Sequence, residues 1–413
     1  MIDKKLKICI VSREYPPDTL WGGIGTFTYN LAQGLKEIGH EVDVIALSLG
    51  QEAELDDNGV TVHRLPSPRI PFMQKRFWDM AHKLLAPFAI LYSYKVYKKI
   101  KELNEKKTYD VIDFPEHIGE GVATLFANKY PCHVRLYTPL SLIGNLGLHR
   151  TTNRIDYLAI EVMERYSIKK ALMVNCPSKA LAELVKKEFR IDRAIDIIPN
   201  PIDAKVFSPA ADKETDNKLK RVLFVGRLDD RKGIHILAEA VPKVVSVFPG
   251  VEFIFLGNDG RGVSGHNSMK EYIQKILREN SCEHAVVFRD RVQYKDLPSV
   301  YNSADISVVP SLYDNSPYTC LEAMSCGLPV IGTDAGGTPE YIDDGHTGSV
   351  VPPGNVDALA AALLDLLRND AKCAEFGRNA REKVRRVYSR DVVAAGMADL
   401  YYQSIEIFKQ ARH

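Results

Sequence analysis

The stretch Pro310–Gly337, PSLYDNSPYTCLEAMSCGLPVIGTDAGG, admits few folds. It reads as a strand, an acidic loop, a sharply started helix, a glycine stop and a second strand. Ser316 is the expected N-cap and Pro317 suits the first helical position, where a missing N–H costs nothing. Gly327 can take the left-handed cap conformation, and Pro329 prevents the helix from resuming. The amides of Tyr318, Thr319 and Cys320 would then point from a helix N-terminus, a natural seat for phosphate. Asp314 stands just before that terminus and Glu322 lies eight residues later, just over one turn inside the helix. One carboxylate can hold hydroxyls on one side of a bound diphosphate and the other can hold them on the opposite side. That arrangement suits a sugar nucleotide; a capped core helix in an α/β domain is the plainer alternative.

A second segment in the same half of the chain shifts the balance. Arg221–Val225 (RVLFV) is a short apolar run, read as a buried parallel strand. It leads into Gly226-Arg227-Leu228-Asp229-Asp230-Arg231-Lys232-Gly233 and then a helix, with Ile234, Leu237, Val241, Val244 and Phe248 at helical spacing before Gly250. Arg227 and Lys232 therefore fall on a turn from strand end to helix start, where open α/β sheets bind ligands. Arg offers a planar fork to phosphate oxygens and Lys a mobile point charge. Asp229-Asp230 is the nearest thing to a metal-binding acidic pair, and it is read as a cap for the following helix.

These two segments, continued through TPEYIDDGHTGSVVPPGN, resemble the C-terminal domain of the retaining family 4 glycosyltransferases (glycosyl transferases group 1), which have the GT-B architecture. Gly22-Gly23-Ile24-Gly25, an amphipathic helix and Gly39-His40-Glu41-Val42 match the same family's opening segment. The resemblance covers nearly the whole chain in order and is specific for family, not for substrate. It implies that Arg227 and Lys232 bind the donor diphosphate and stabilise it as leaving group. Glu322, the second acid of the family's Glu-x7-Glu motif, would hold the ribose. Asp314 occupies the position of the first acid, beside the donor sugar, one methylene shorter than the usual Glu. Arg289–Val292 (RDRV) matches the segment beneath the base, so Arg291 and the Val292 backbone are expected nucleotide contacts. Gly22 and Gly23 would let backbone approach the donor phosphate. GGIGTF lacks the third glycine of a dinucleotide fingerprint, which argues against an oxidoreductase.

Strand and helix alternate twice over, with strands at Lys7–Val11, Val42–Leu47, Asp110–Ile112, His133–Tyr137 and Met173–Asn175 in the first half. This predicts an α/β chain of two doubly wound, Rossmann-like domains facing a central cleft. The expected divisions are an acceptor-side domain over 1–200, a linker over 201–219 rich in Pro and charge, and a nucleotide-sugar domain over 220–385. A final helix over 386–413, with Val393, Ala394, Met397, Leu400, Tyr401 and Ile405 at helical spacing, is by resemblance expected to cross back to the first domain.

Composition sets limits. At 413 residues the chain has room for two cores, and 45% apolar with 26% charged residues is ordinary for a soluble globular protein. A net charge of +1 recruits no nucleic acid. Seven scattered cysteines without CxxC spacing point to a reducing cytoplasm, without structural disulfides or zinc. MIDKKLKICIVS reads as a charged lead-in to a strand, not a signal peptide, and no apolar run reaches the length of a membrane span. Between Arg69 and Lys107, ten Lys and Arg face three acids (Asp79, Glu102, Glu105) with Phe77, Trp78, Leu84, Leu85, Phe88, Ile90 and Leu91 interleaved. That segment is read either as a solvated cover of the first sheet or as a contact with the anionic inner face of the cell membrane.

The resemblance implies transfer of a sugar from a nucleoside diphosphate, UDP by family habit, to a glycan or lipid-linked acceptor in cell-surface polysaccharide or glycolipid synthesis. Neither metal nor cofactor is expected. Glu116 and His117, on a loop at a strand's end, and Tyr137 are candidates for contact with acceptor or donor sugar. A sugar-nucleotide epimerase or hydrolase, or a non-catalytic sugar-nucleotide sensor, are the rival readings.

Overall fold

An apolar run buried on both faces belongs in a parallel sheet covered by helices, and Lys7–Val11 forms such a strand, β1, with its last four residues buried. The computed structural model describes residues 5–19, 21–68, 85–140, 142, 154–210, 219–263 and 267–412. The chain divides into two units, Met1–Pro201 with Arg390–His413, and Ile202–Ser389.

In the first unit β1 is followed by β2 (Glu41–Ser48), β3 (Ala53–Asp57), β4 (Val60–Pro66), β5 (Val111–Pro115), β6 (Cys132–Arg135), β7 (Met173–Cys176) and β8 (Asp196–Ile197). They lie in the order β3-β4-β2-β1-β5-β6-β7-β8. Every pairing is parallel except β3 with β4, an edge hairpin turned by Asn58 and Gly59, both at positive φ. Tyr92, Val96, Ile100 and Leu103 of the helix Leu85–Lys106 pack into this unit's core. The chain-terminal helix Arg390–Gln410 belongs to the same unit. Its residues Val393, Ala394, Met397, Leu400, Tyr401 and Ile405 are all buried. Tyr401 donates its hydroxyl to Asp113 Oδ2 at 3.0 Å, and Asp113 Oδ1 pairs with His133 Nδ1 at 2.6 Å. In the helix Gly23–Glu37, Phe27, Leu31 and Leu35 face inward, whereas Ile38 lies just past its end and is exposed.

The second unit contains β9 (Lys220–Val225), β10 (Val251–Leu256), β11 (Val286–Arg289), β12 (Ile306–Val309), β13 (Val330–Thr333) and β14 (Gly348–Val351). The order β11-β10-β9-β12-β13-β14 is all parallel and reverses between β9 and β12. This is the doubly wound arrangement, and its ligand crevice lies at the carboxyl ends of the two strands flanking the reversal. The helix Ile234–Val245 covers the sheet with Ile234, Leu237, Val241 and Val244. The expected linker is partly core: Ile202 and Phe207 are fully buried in the second unit, and Ile202 N donates to Tyr388 O at 2.9 Å. The rest of that stretch, 211–218, lies outside the described residues, as does 69–84 of the basic aromatic segment.

Among the described residues no helix is long and apolar enough to cross a membrane. None of their His, Cys, Asp and Glu side chains gather in a group able to hold a metal ion. All seven cysteines are free, six of them buried.

Candidate active site

The two loops that leave β9 and β12 meet at the reversal of the second sheet. After β9 the chain makes a tight turn in which Asp229 Oδ1 accepts from Lys232 N at 3.0 Å, and Gly233 N donates to Asp230 O at 2.9 Å. Asp229 thus ties the turn; the N-cap of the next helix is Gly233, with no side-chain cap. Gly233 has φ +66°, and a Cβ there would stand 1.8 Å from Pro310 O. Only glycine lets the two loops come this close.

That contact sets Lys232 Nζ 2.5 Å from Asp314 Oδ2, across 82 residues of sequence. Arg231 Nη1 lies 3.5 Å from the same oxygen and donates to Tyr313 O at 3.1 Å. Burial works to raise the Asp314 pKa, but the Lys232 and Arg231 charges hold it below the ordinary range. The carboxylate loop is strapped from its other side. Gly337 N donates to Asp314 O at 2.8 Å, and Gly336, at φ +61°, leaves no room for a Cβ beside that carbonyl. Arg227 projects from the same turn and is 65% exposed, its Nε donating to Asp229 Oδ2 at 2.6 Å. A guanidinium anchored on one edge keeps its other N–H groups for an incoming anion.

The helix expected after the acidic loop spans Tyr318–Ser325 and starts one residue later than the sequence suggested. Pro317 is its N-cap; the Ser316 hydroxyl is paired with that of Tyr341 and its N–H points to Asp314 Oδ1. The Cys320 amide donates to Pro317 O at 3.1 Å, so it is engaged rather than offered to phosphate. Tyr318 and Thr319 form the first turn and are half-buried. Glu322, one turn on, is 5% exposed and accepts from the Tyr301 hydroxyl at 2.7 Å. Burial pushes its carboxyl up to about 7, against the Tyr301 bond and the Lys232 charge. Arg291 and Val292 follow β11, on the same carboxyl edge of the sheet; Arg291 is exposed and Val292 packs on the core.

The first unit's candidates also stand at a reversal of strand order, between β1 and β5. Gly22 is the N-cap of the helix Gly23–Glu37, and a Cβ on it would meet Glu14 Oε2 at 2.9 Å. The Glu14 carboxylate is hydrogen-bonded to the Gly25 amide, so an acid already holds the helix start where phosphate was expected to approach. A Cβ on Gly23 would meet open space. Glu116 needs correction as a substrate contact. It is fully buried, and both its carboxylate oxygens accept from Tyr137 N at 2.9 Å. Its role is to fix the loop after β6. His117 is half-buried, and desolvation together with the Arg13 charge lowers its pKa to about 3, which keeps the ring neutral. The Tyr137 ring packs edge-on against Phe27.

Arg231, Tyr301 and Glu14 carry contacts that the sequence reading missed. Arg231 had a signal, being the third cation of the turn; Tyr301 and Glu14 had none, because only the tertiary fold brings them to their partners.

Two Rossmann-like units in one chain, with a terminal helix that belongs to the first, define the GT-B class of transferases. Residues 209–383 match the family described as glycosyl transferases group 1, and residues 21–206 match Glycosyltransferase Family 4. The D-inositol 3-phosphate glycosyltransferase of Corynebacterium kroppenstedtii is 30% identical over 93% of this chain and 86% of its own. The sucrose-phosphate synthase of Thermosynechococcus elongatus superposes with a TM-score of 0.77 over 97% of this chain and 99% of its own, at 22% identity. HepE of Anabaena, solved with UDP-glucose, does so at 0.69 over 96% and 100%, at 18% identity. The chain belongs to the family 4, group 1 glycosyltransferases and is a transferase of GT-B fold.

Proposed function

We propose that the protein transfers a sugar, with retention of anomeric configuration, from a nucleoside diphosphate to an acceptor hydroxyl. UDP is the favoured nucleotide, and the acceptor is a glycan or lipid-linked glycan of the cell surface. The observation that carries this reading is the Lys232–Asp314 contact at the strand reversal, with Arg227 exposed beside it. The binding of UDP-glucose by HepE, a protein of the same fold, supports the choice of nucleotide.

As the bond from the anomeric carbon to the diphosphate breaks, the leaving phosphate gains negative charge. Cations already fixed where that charge develops lower the barrier, since little reorganisation remains to be done. Lys232 and Arg227 are the residues for that task. Asp314 holds Lys232 in place and offers an acceptor for a donor-sugar hydroxyl. Glu322 and the first turn of its helix receive the ribose and the phosphate, with Arg291 and Val292 beneath the base. The acceptor oxygen bonds to the anomeric carbon, and its proton passes to the departing phosphate oxygen. This route requires no metal and no protein base.

The basic aromatic helix Leu85–Lys106 enters the reading as a surface for anionic membrane. Ile90 and Tyr94 are exposed on it, with Lys98 Nζ 4.9 Å from the Tyr94 ring centroid. Sedimentation with anionic vesicles at low and high salt tests this point, and absence of binding at low salt removes it.

The reaction is tested by incubating the protein with UDP-, GDP- and ADP-sugars and a panel of glycan acceptors, followed by NMR of the product linkage. Retention at the anomeric carbon, with loss of donor use in Arg227→Ala, is expected. Inversion, or release of a free altered sugar without acceptor, would refute the proposal.

A further inference from the structure

The second unit holds a cavity of about 1050 Å³ remote from the donor loops. Lys220 opens β9, Ile306 opens β12 and Pro329 precedes β13; all three line it, so it lies at the amino ends of the strands. The donor loops leave the carboxyl ends of the same strands. Its volume is at the upper end of the roughly 300–1,000 Å³ typical of small-molecule sites.

The walls of the cavity are unbalanced in charge. Lys220, Arg378, Arg381, Arg385 and Arg386 line it against Asp305, Asp370 and Glu382. Two of these acids are engaged: Asp370 pairs with Lys220 at 2.9 Å, and Asp305 Oδ2 accepts from Arg221 N at 2.8 Å. Arg381 spends its N–H groups on neutral oxygens, the carbonyls of Ala204, Phe207 and Ser325 and the Ser325 hydroxyl. Burial and the neighbouring Arg385 charge both depress its pKa. Among the described residues its charge therefore has no carboxylate partner. Among the described residues Arg378, Arg385 and Arg386 have no ion-pair partner, and all three are exposed to the cavity mouth. Arg385 and Arg386 sit on a five-residue π-helix, Val384–Tyr388, a rare form that is frequent at functional sites. Apart from Asn302, much of the remaining wall is apolar, with Ile306, Leu328, Pro329 and Leu366 in it.

We propose that this cavity is a second binding site, for a small phosphate ester that carries an aromatic or apolar group. Arg378, Arg385 and Arg386 hold the phosphate, and the Ile306–Leu328–Pro329 wall receives the apolar part. Guanidinium forks bind phosphate oxygens in pairs, while the apolar wall offers nothing to a bare sugar phosphate.

Calorimetric titration of the intact protein with phenyl phosphate, inorganic phosphate and benzyl alcohol tests the proposal. Phenyl phosphate is expected to bind at one site, more tightly than inorganic phosphate, with benzyl alcohol silent. The double variant Arg385→Ser/Arg386→Ser should weaken phenyl phosphate by about tenfold or more, and so should Arg378→Ser to a smaller extent, with thermal melting unchanged. Lys232→Ala, in the donor loop, should leave this binding intact. No binding to the wild type, unchanged affinity in the double variant, or loss in Lys232→Ala alone would each overturn the proposal.

Discussion

Glu322 carries a pH signature that follows from its burial. Its carboxyl is raised to about 7 in the folded chain, against about 4.3 in an unfolded one. Between those values the folded chain keeps a proton that the unfolded chain has lost. The stabilisation from this group is therefore complete below the unfolded pKa and disappears as pH climbs to about 7. Asp314 acts with the opposite sign: its lowered pKa contributes stability at neutral pH that is lost on acidification through the folded value. Glu322→Gln keeps an acceptor for Tyr301 and removes the first effect alone. Relative to wild type, its melting temperature should rise by a few degrees between about pH 5 and about pH 8 without nucleotide, on the scale of ~2–4 °C per kcal/mol. A constant difference across that range would show that Glu322 is not desolvated as the structure has it. The two acids and the two cations were legible as residue types at suggestive spacing. Their pairing was not, because Lys232 and Asp314 are joined only by the packing of one loop against another.

At the scale of elements, the glycine between the β9 loop and its helix decides whether the site assembles. Gly233→Ala places a methyl against Pro310 O and forces a left-handed conformation on a residue with a Cβ, which alone costs about 1–2 kcal/mol. Denaturant unfolding should show at least that loss, and donor turnover should fall with it as Lys232 moves from Asp314. Unaltered turnover in a folded variant would mean that the close approach of the loops has no part in the reaction. Elements that announce themselves by apolar runs or helical spacing were readable: β1 matches its expected span, and the terminal helix buries every residue singled out for it. The β3–β4 hairpin went unseen even though Asn58-Gly59 is a strong turn signal. Its first strand reads Ala-Glu-Leu-Asp-Asp and is almost wholly exposed, so no apolar alternation marks it. The early start assigned to the Tyr318–Ser325 helix has a different cause. Tyr341, remote in sequence, takes the Ser316 hydroxyl that would have capped it.

For the whole molecule, the first unit is made from two stretches of chain and the second from one. A chain ending at Ser389 would therefore strip Val393, Met397, Leu400 and Tyr401 from the first unit's core, at about 1.5–3 kcal/mol for each large side chain. Calorimetry should show the first unit's transition lowered or abolished while that of Ile202–Ser389 persists. Equal loss in both units would contradict this division. The alternation of strand and helix revealed the doubly wound class in advance, but not the strand order, which is set by packing and places the reversals beside the candidate residues. The central claim is that the turn after β9 and the acidic loop after β12 together bind a nucleoside diphosphate. Titration calorimetry of UDP, GDP and ADP against the wild type and Lys232→Ala tests it most directly. The account predicts that whichever nucleotide the wild type binds loses about tenfold or more of its affinity when the Lys232 charge is removed. Equal affinity in a folded Lys232→Ala protein would contradict it.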